Sequence, residues 1–282
     1  MNTLIKIFIF LIGFILVCDR IDPSMIEKPQ VPLTPFDTAK VTSKIFLEYF
    51  TGHYCGNCPG STNPAIAGIK SKYGDDRIII MAIHAGFFST PNLTPDKLDL
   101  RCEDGIRLYN EAGVTSVPIG RINRRFYQGS VLLPPSSWIS AVNEIINKPA
   151  YFSLTITSNY DTLSRLGIAQ IKIQSYVDTA DSFIVSAFVL EDSIIGHQLD
   201  YNKEPNDVPN YVFNYVLRDE LIANDGSSFA RNGVISDSVI YKNFPFKLDS
   251  KWNEKQCWIA ATIIHGKSGE ATQSEKHKII PP

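Results

Sequence analysis

The chain has 282 residues, 44% of them hydrophobic, which is length and apolar content for about two domains with cores of their own. Its 27 basic and 29 acidic residues leave a net charge of -2, with no basic stripe of the kind nucleic-acid binders carry and no charge block marking a disordered arm. Five cysteines are too few for a disulfide scaffold.

The chain opens with a short start bearing Lys6, then an unbroken apolar run from Ile7 to Val17. The pattern predicts a secretory signal peptide over 1–17, because a spanning helix needs about 20 apolar residues. No A-x-A-like site follows. The run ends at Cys18, which resembles the lipidated first residue of a bacterial lipoprotein, although Val17 stands where that signal usually has Gly, Ala or Ser. Residues 18–43 contain four prolines and scattered charges without a period, and read as an extended, lipid-anchored tether. Export places the remaining cysteines, Cys55, Cys58, Cys102 and Cys257, where disulfides persist.

Lys44–Phe50 is short, apolar and aromatic, a buried strand. A turn at Thr51-Gly52 leads to Cys55-Gly56-Asn57-Cys58, and the next residues read as a helix ending at Gly74, with Pro59 tolerated in the first turn and a kink expected at Pro64. The continuous run RIIIMAIHAG is a strand covered on both faces. Thr94 and Pro95 predict the start of a second helix, with Leu98, Cys102, Ile106 and Tyr109 on one face and Gly113 at its end. After Ser116-Val117-Pro118 two short strands are expected. Ser136 or Ser137 then caps a helix whose apolar face is Trp138, Ile139, Val142, Ile145 and Ile146.

Two cysteines one helical turn apart at a strand-to-helix junction allow three readings. As a dithiol, Cys55 sits at the positive end of the helix, where thiol pKa values fall to about 3.5–7.5, and attacks; Cys58 resolves the mixed disulfide. As a metal site, the pair needs two more ligands, for which His53 and His84 are at hand, but no second CxxC exists and the spacing fits no common finger. As a structural disulfide, the pair is never reduced. Cys102 and Cys257 fall on apolar faces and read as small buried hydrophobes, with a bridge between them left open. No metal is assigned, and the exchange chemistry requires no diffusible cofactor.

The order β-α-β-α-β-β-α, the CxxC at the first strand-to-helix turn and Val117-Pro118 before the third strand resemble the thioredoxin fold. The wording FLEYFTGHYCGNCP … GVTSVPIGRINR is similar to the family named after a twenty-eight-kilodalton outer-membrane protein, exported lipoproteins with a thioredoxin-like half followed by a β-sandwich. The likeness is strongest from Ile45 to Arg124 and implies an outer-membrane location, periplasmic or surface-facing. It also implies a cis Val117–Pro118 bond facing Cys55, with Val117 and Pro118 positioning an extended substrate, and a buried acid near the site, for which Glu48 is the candidate proton relay. Tyr54 replaces the usual Trp. Gly56-Asn57 matches neither the Gly-Pro of strong reductants nor the Pro-His of strong oxidants.

From about Ala150 the period changes to two, in about seven segments from YFSLTITS to ATQSEKHKII. The expected fold class is therefore an α/β thioredoxin-like domain over 44–149 followed by an all-β immunoglobulin-like sandwich over 150–282. The expected function is a membrane-tethered thiol–disulfide oxidoreductase acting on the cysteines of exported proteins. The alternative is a non-enzymatic surface lipoprotein that binds a partner through its sandwich, with Cys55–Cys58 a structural disulfide.

Overall fold

Seven consecutive buried residues form β1 (Ile45–Thr51), and seven more form β2 (Ile78–His84), in a computed structural model that describes residues 41–281. The expected signal peptide, Cys18 and most of the tether lie outside the described residues. Burial on both faces follows from composition: β2 is a continuous apolar run up to His84, and β1 is apolar and aromatic but for Glu48 and Thr51. β1 and β2 pair in parallel, joined by α1 (Cys58–Tyr73), and α1 runs unbroken through Pro64. Then come α2 (Glu103–Glu111), β3 (Ile119–Ile122), antiparallel to β1, and α3 (Pro135–Ile145).

The second half supplies β4 (Phe152–Asp161), β5 (Leu166–Ser175), β6 (Phe183–Glu191), β7 (Ile194–Leu199) and β8 (Asp207–Phe213). It continues with β9 (Val216–Leu221), β10 (Ser228–Ala230), β11 (Val239–Lys247), β12 (Cys257–His265) and β13 (Ala271–Lys278). An eight-stranded mixed sheet runs in the order β13-β12-β6-β9-β2-β1-β3, with β10 on β6. Its seam is the Ala82–Val216 pair, where β9 joins β2 in parallel and Ala82 N donates to Tyr215 O at 2.7 Å. β11-β5-β4 form a second sheet, and β7-β8 form a two-stranded hairpin.

This corrects the expected fold class. Among the described residues the molecule is mostly β-sheet with three α-helices, and strands from both halves share one mixed sheet; it is not a clear thioredoxin-like domain followed by an immunoglobulin-like sandwich. The physical reason is that the edge of β2 is completed by β9, and through it β6, β12 and β13 extend the same ladder. The expected pair of strands after Pro118 is a single four-residue strand. Beyond it Asn123, Arg124 and Gln128 take positive φ, and only isolated bridges at Gly120–Leu133 and Tyr127–Ser130 remain. NYVFNYVLRD is two strands, because Tyr215 at φ 62° turns the chain between β8 and β9.

The second helix also starts later than Thr94. Asp96 and Asp99 draw the backbone N–H groups of Leu98 and Arg101 to their side chains, local bonds that compete with helix formation. Cys102 is the N-cap instead, its Sγ accepting from Gly105 N at 3.3 Å. The last helix begins with Pro135 after Pro134 at the cap rather than at Ser136 or Ser137, consistent with the preference for proline in a first turn.

One core lies between the large sheet and α1 and α3, around the fully buried Trp138, whose Nε1 donates to Leu133 O at 2.9 Å. Gly120 permits this approach: a Cβ there would stand 2.8 Å from both Glu48 O and the Trp138 ring. A second core packs α2 and β6 on the opposite face, and a third fills the space between the β11-β5-β4 sheet and β6 and β12. Among the described residues no helix is long and apolar enough to cross a membrane.

Candidate functional site

The turn after β1 is folded by its own backbone: Cys55 N donates to Gly52 O at 3.0 Å and Cys58 N to Cys55 O at 3.0 Å. Cys58 is the first residue of α1, and Asn57 caps the helix without a side-chain bond. The two sulfurs are joined in a disulfide. Thr62 Oγ1 donates to Cys58 O at 2.9 Å and holds the first turn.

The pair is buried, Cys55 at 5% and Cys58 at 2% exposure. A roof formed by the β7–β8 hairpin and its connecting loop covers it. Leu199 N donates to His53 O at 2.9 Å, and Tyr201 N to Gly56 O at 2.9 Å. Gln198 Nε2 donates to Cys55 O at 3.3 Å and Leu199 O at 2.7 Å. The Tyr201 ring sits where a Cβ on Gly56 would go, 2.6 Å away, so only glycine fits under it. Sequence reasoning missed Gln198 and Tyr201; the alternating run IIGHQL was the available signal, but its partner in space is 143 residues away.

The Val117–Pro118 bond is cis, and Val117 O lies 3.8 Å from Cys55 Sγ. Glu48 is fully buried with both carboxylate oxygens engaged. Arg124 donates through Nε at 2.8 Å and Nη2 at 2.7 Å, and Arg121 through Nη2 at 2.9 Å. Burial alone would raise its pKa, but the charges and hydrogen bonds of Arg124 and Arg121 outweigh it and hold Glu48 below the ordinary carboxylate range.

His53 and His84 are both buried, at 1% and 4% exposure. His53 Nε2 lies 3.2 Å from Thr90 O, and its Nδ1 has no partner. His84 packs edge-on to Phe213 at 5.7 Å, and its Nδ1 is likewise unpartnered. Burial, reinforced by the neighbouring charges of His53 and Arg218, pushes the His84 pKa down to about 3. Burial also lowers that of His53. Among the described residues no group of three or more His, Cys, Asp or Glu side chains is placed to hold a metal ion. Cys102 and Cys257 are free thiols, and burial pushes them up to about 11 and about 12.

Around the covered disulfide the surface is aromatic. Tyr54 N donates to Phe88 O at 2.9 Å, and the exposed rings of Phe87 and Phe88 meet edge to face at 5.4 Å, while Tyr201 is 59% exposed.

The fold as a whole is similar to solved structures. HBP35 of Porphyromonas gingivalis matches at a TM-score of 0.62 and 16% identity, over 84% of this chain and 76% of that one. Protein AGR_C_4864 from Agrobacterium tumefaciens matches at 0.50 and 12% identity, over 86% and 97%. A domain of the outer membrane lipoprotein Omp28 from Porphyromonas gingivalis matches at 0.31 and 15% identity, over 47% and 90%. At these identities the first two likenesses concern fold alone. Among curated proteins none matches the sequence. The family model described as outer membrane protein Omp28 matches residues 106–281, more than half of the chain, so the match includes Val117-Pro118 and leaves out Cys55 and Cys58, where the sequence likeness had been expected to be strongest. On that match the chain belongs to the Omp28 family of outer membrane proteins.

Proposed function

We propose that this protein is an outer-membrane lipoprotein, anchored through Cys18, that binds an exported protein partner without catalysing a reaction on it. The Cys55–Cys58 disulfide acts as a structural cross-link. The observation that carries this reading is the burial of both cysteines in a turn whose backbone carbonyls are bonded by Gln198, Leu199 and Tyr201. Thiol–disulfide exchange needs an attacking thiolate to reach a sulfur, and a covered disulfide is not reached. What the roof leaves exposed is the rim of Tyr54, Phe87, Phe88 and Tyr201, a surface suited to partner contact because aromatic rings contribute much of the energy of interface centres.

The test is a thiol-trapping titration of the Cys55–Cys58 pair against a glutathione series. A reduction potential below about -300 mV, with no catalysis of disulfide exchange, marks a structural bond. A potential between about -120 and -270 mV, together with mixed disulfides recovered from Cys58→Ser cells, overturns the reading in favour of an exchange enzyme.

That second reading has its own observation, the 3.8 Å approach of Val117 O to Cys55 Sγ, which puts an extended-backbone docking position beside the outer sulfur. It requires the roof to lift. Its distinguishing experiment is removal of the loop that carries Tyr201, which should expose the disulfide and raise exchange activity if the hairpin gates an enzyme.

A further inference from the structure

Beside Cys58 lies a cavity of about 250 Å³ between α1, the end of β2 and the β8–β9 turn. At about 30 Å³ per water it has room for about eight waters, the space of one substituted ring. Cys58 forms part of one wall, and the aromatic residues Tyr49, Tyr211, Phe213 and Tyr215 supply others.

Three features mark it as a ligand site rather than a packing gap. First, His84 lines it while 4% exposed, and its buried Nδ1 has no protein hydrogen-bond partner among the described residues. A neutral imidazole offers one donor and one acceptor, and leaving one open in a buried position is costly unless something fills it. Second, Lys70 carries the only formal charge among the described lining residues, and no carboxylate lines the cavity. Asp75 pairs with Lys70, but Asp75 is 59% exposed, and an ion pair screened by water is weak. Lys70 Nζ also donates to Tyr215 OH at 2.8 Å, which fixes the ammonium at the wall. Third, the Tyr211 hydroxyl is held by Asn63 Nδ2 at 3.0 Å, so the wall is set before any ligand arrives. Aromatic walls with a few convergent polar groups are the usual make-up of a small-molecule site.

We propose that this cavity binds a small single-ring aromatic carboxylate, its ring against Tyr211 and Phe213, its carboxylate at Lys70 and a polar substituent at His84. The inference goes beyond partner binding at the rim and does not depend on whether the disulfide is exchanged.

The probe is 4-hydroxybenzoate, titrated into the disulfide-intact protein labelled with ¹⁵N-histidine. Saturable 1:1 binding that moves the His84 nitrogens and leaves those of His197, His265 and His277 in place is the expected result. His84→Phe, which keeps a ring against Phe213, and Lys70→Met should each weaken binding about tenfold, the value of one lost polar contact. Should His84→Phe not fold, the wild type serves with two other probes: benzoate, lacking the hydroxyl, and 4-hydroxybenzamide, lacking the charge, should each bind about tenfold more weakly. No saturable shift up to about 10 mM, where even millimolar affinity would register, overturns the proposal. So does binding of equal strength by all three probes, which would mean a water-filled space without recognition.

Discussion

Two buried polar side chains on neighbouring strands meet opposite fates. Glu48 on β1 has both oxygens taken by guanidinium groups, whereas His84 on β2 keeps a buried Nδ1 that no protein group takes. Both sit in strands whose other residues are mostly apolar, and both are buried. The difference is supply. The Arg-Ile-Asn-Arg-Arg run folds back beside β1 and delivers two cations to one carboxylate, while the Asn63 amide in the cavity beside His84 is already bonded to Tyr211. A fully compensated charge is architecture; an open imidazole in a formed cavity is a place for something else.

The comparison breaks most severely at Glu48. Arg124→Met leaves a buried carboxylate with Arg121 as its remaining partner and should cost about 3–5 kcal/mol, read from the urea midpoint at neutral pH. Acid should separate the two sites next. The folded pKa of His84, about 3, lies below its ordinary 6.5, so the unfolded chain binds more protons between these values. Its share of stability is complete above about pH 6.5 and declines as pH falls, by at most about 1.4 kcal/mol per pH unit. His53, also lowered by burial, titrates in the same direction. Glu48 is depressed as well, but from 4.5, so its share is lost only below that value. Burial raises the Asp219 pKa to about 6, which works in the opposite direction over the same window, so the difference is the readout: between pH 7 and 4.5 the melting temperature should fall less, or rise more, in His84→Phe than in the wild type, and identical slopes would contradict the assignment.

Opening the cavity wall is a smaller change. Cys55→Ser with Cys58→Ser removes a cross-link closing a very short loop, worth about 2 kcal/mol in the chain-entropy account, and partner binding at the rim should survive it. Smaller still is Gly56→Ala, whose new methyl meets the Tyr201 ring. About 1 kcal/mol of overpacking is expected, with faster thiol labelling under mild reductant as the roof loosens.

Much of the frame was legible because it is local. The unbroken apolar runs gave β1 and β2, and the CxxC and Gly74 bracketed α1 closely. The alternating runs of the second half gave most of its strands, since a two-residue period needs no tertiary information. Helix α2 was misjudged at its start because Thr94-Pro95 is a good cap in sequence, yet Asp96 and Asp99 capture the following N–H groups. The split between β8 and β9 hinges on one positive φ at Tyr215, a residue with no sequence mark for it.

By itself the sequence determined most of the strands and the approximate place of the helices, that Cys55 and Cys58 stand one turn apart at a helix start, and that Glu48 and His84 fall within largely apolar strands. Tertiary structure alone decided that β9 completes the edge of β2, merging the halves into one sheet, and that a hairpin about 140 residues downstream roofs the disulfide. It alone also gave Glu48 its two arginines and left His84 facing a cavity. Period and propensity fix what each segment is. Which edges meet, and which buried groups find partners, depends on contacts far apart in the chain, and no local pattern encodes them.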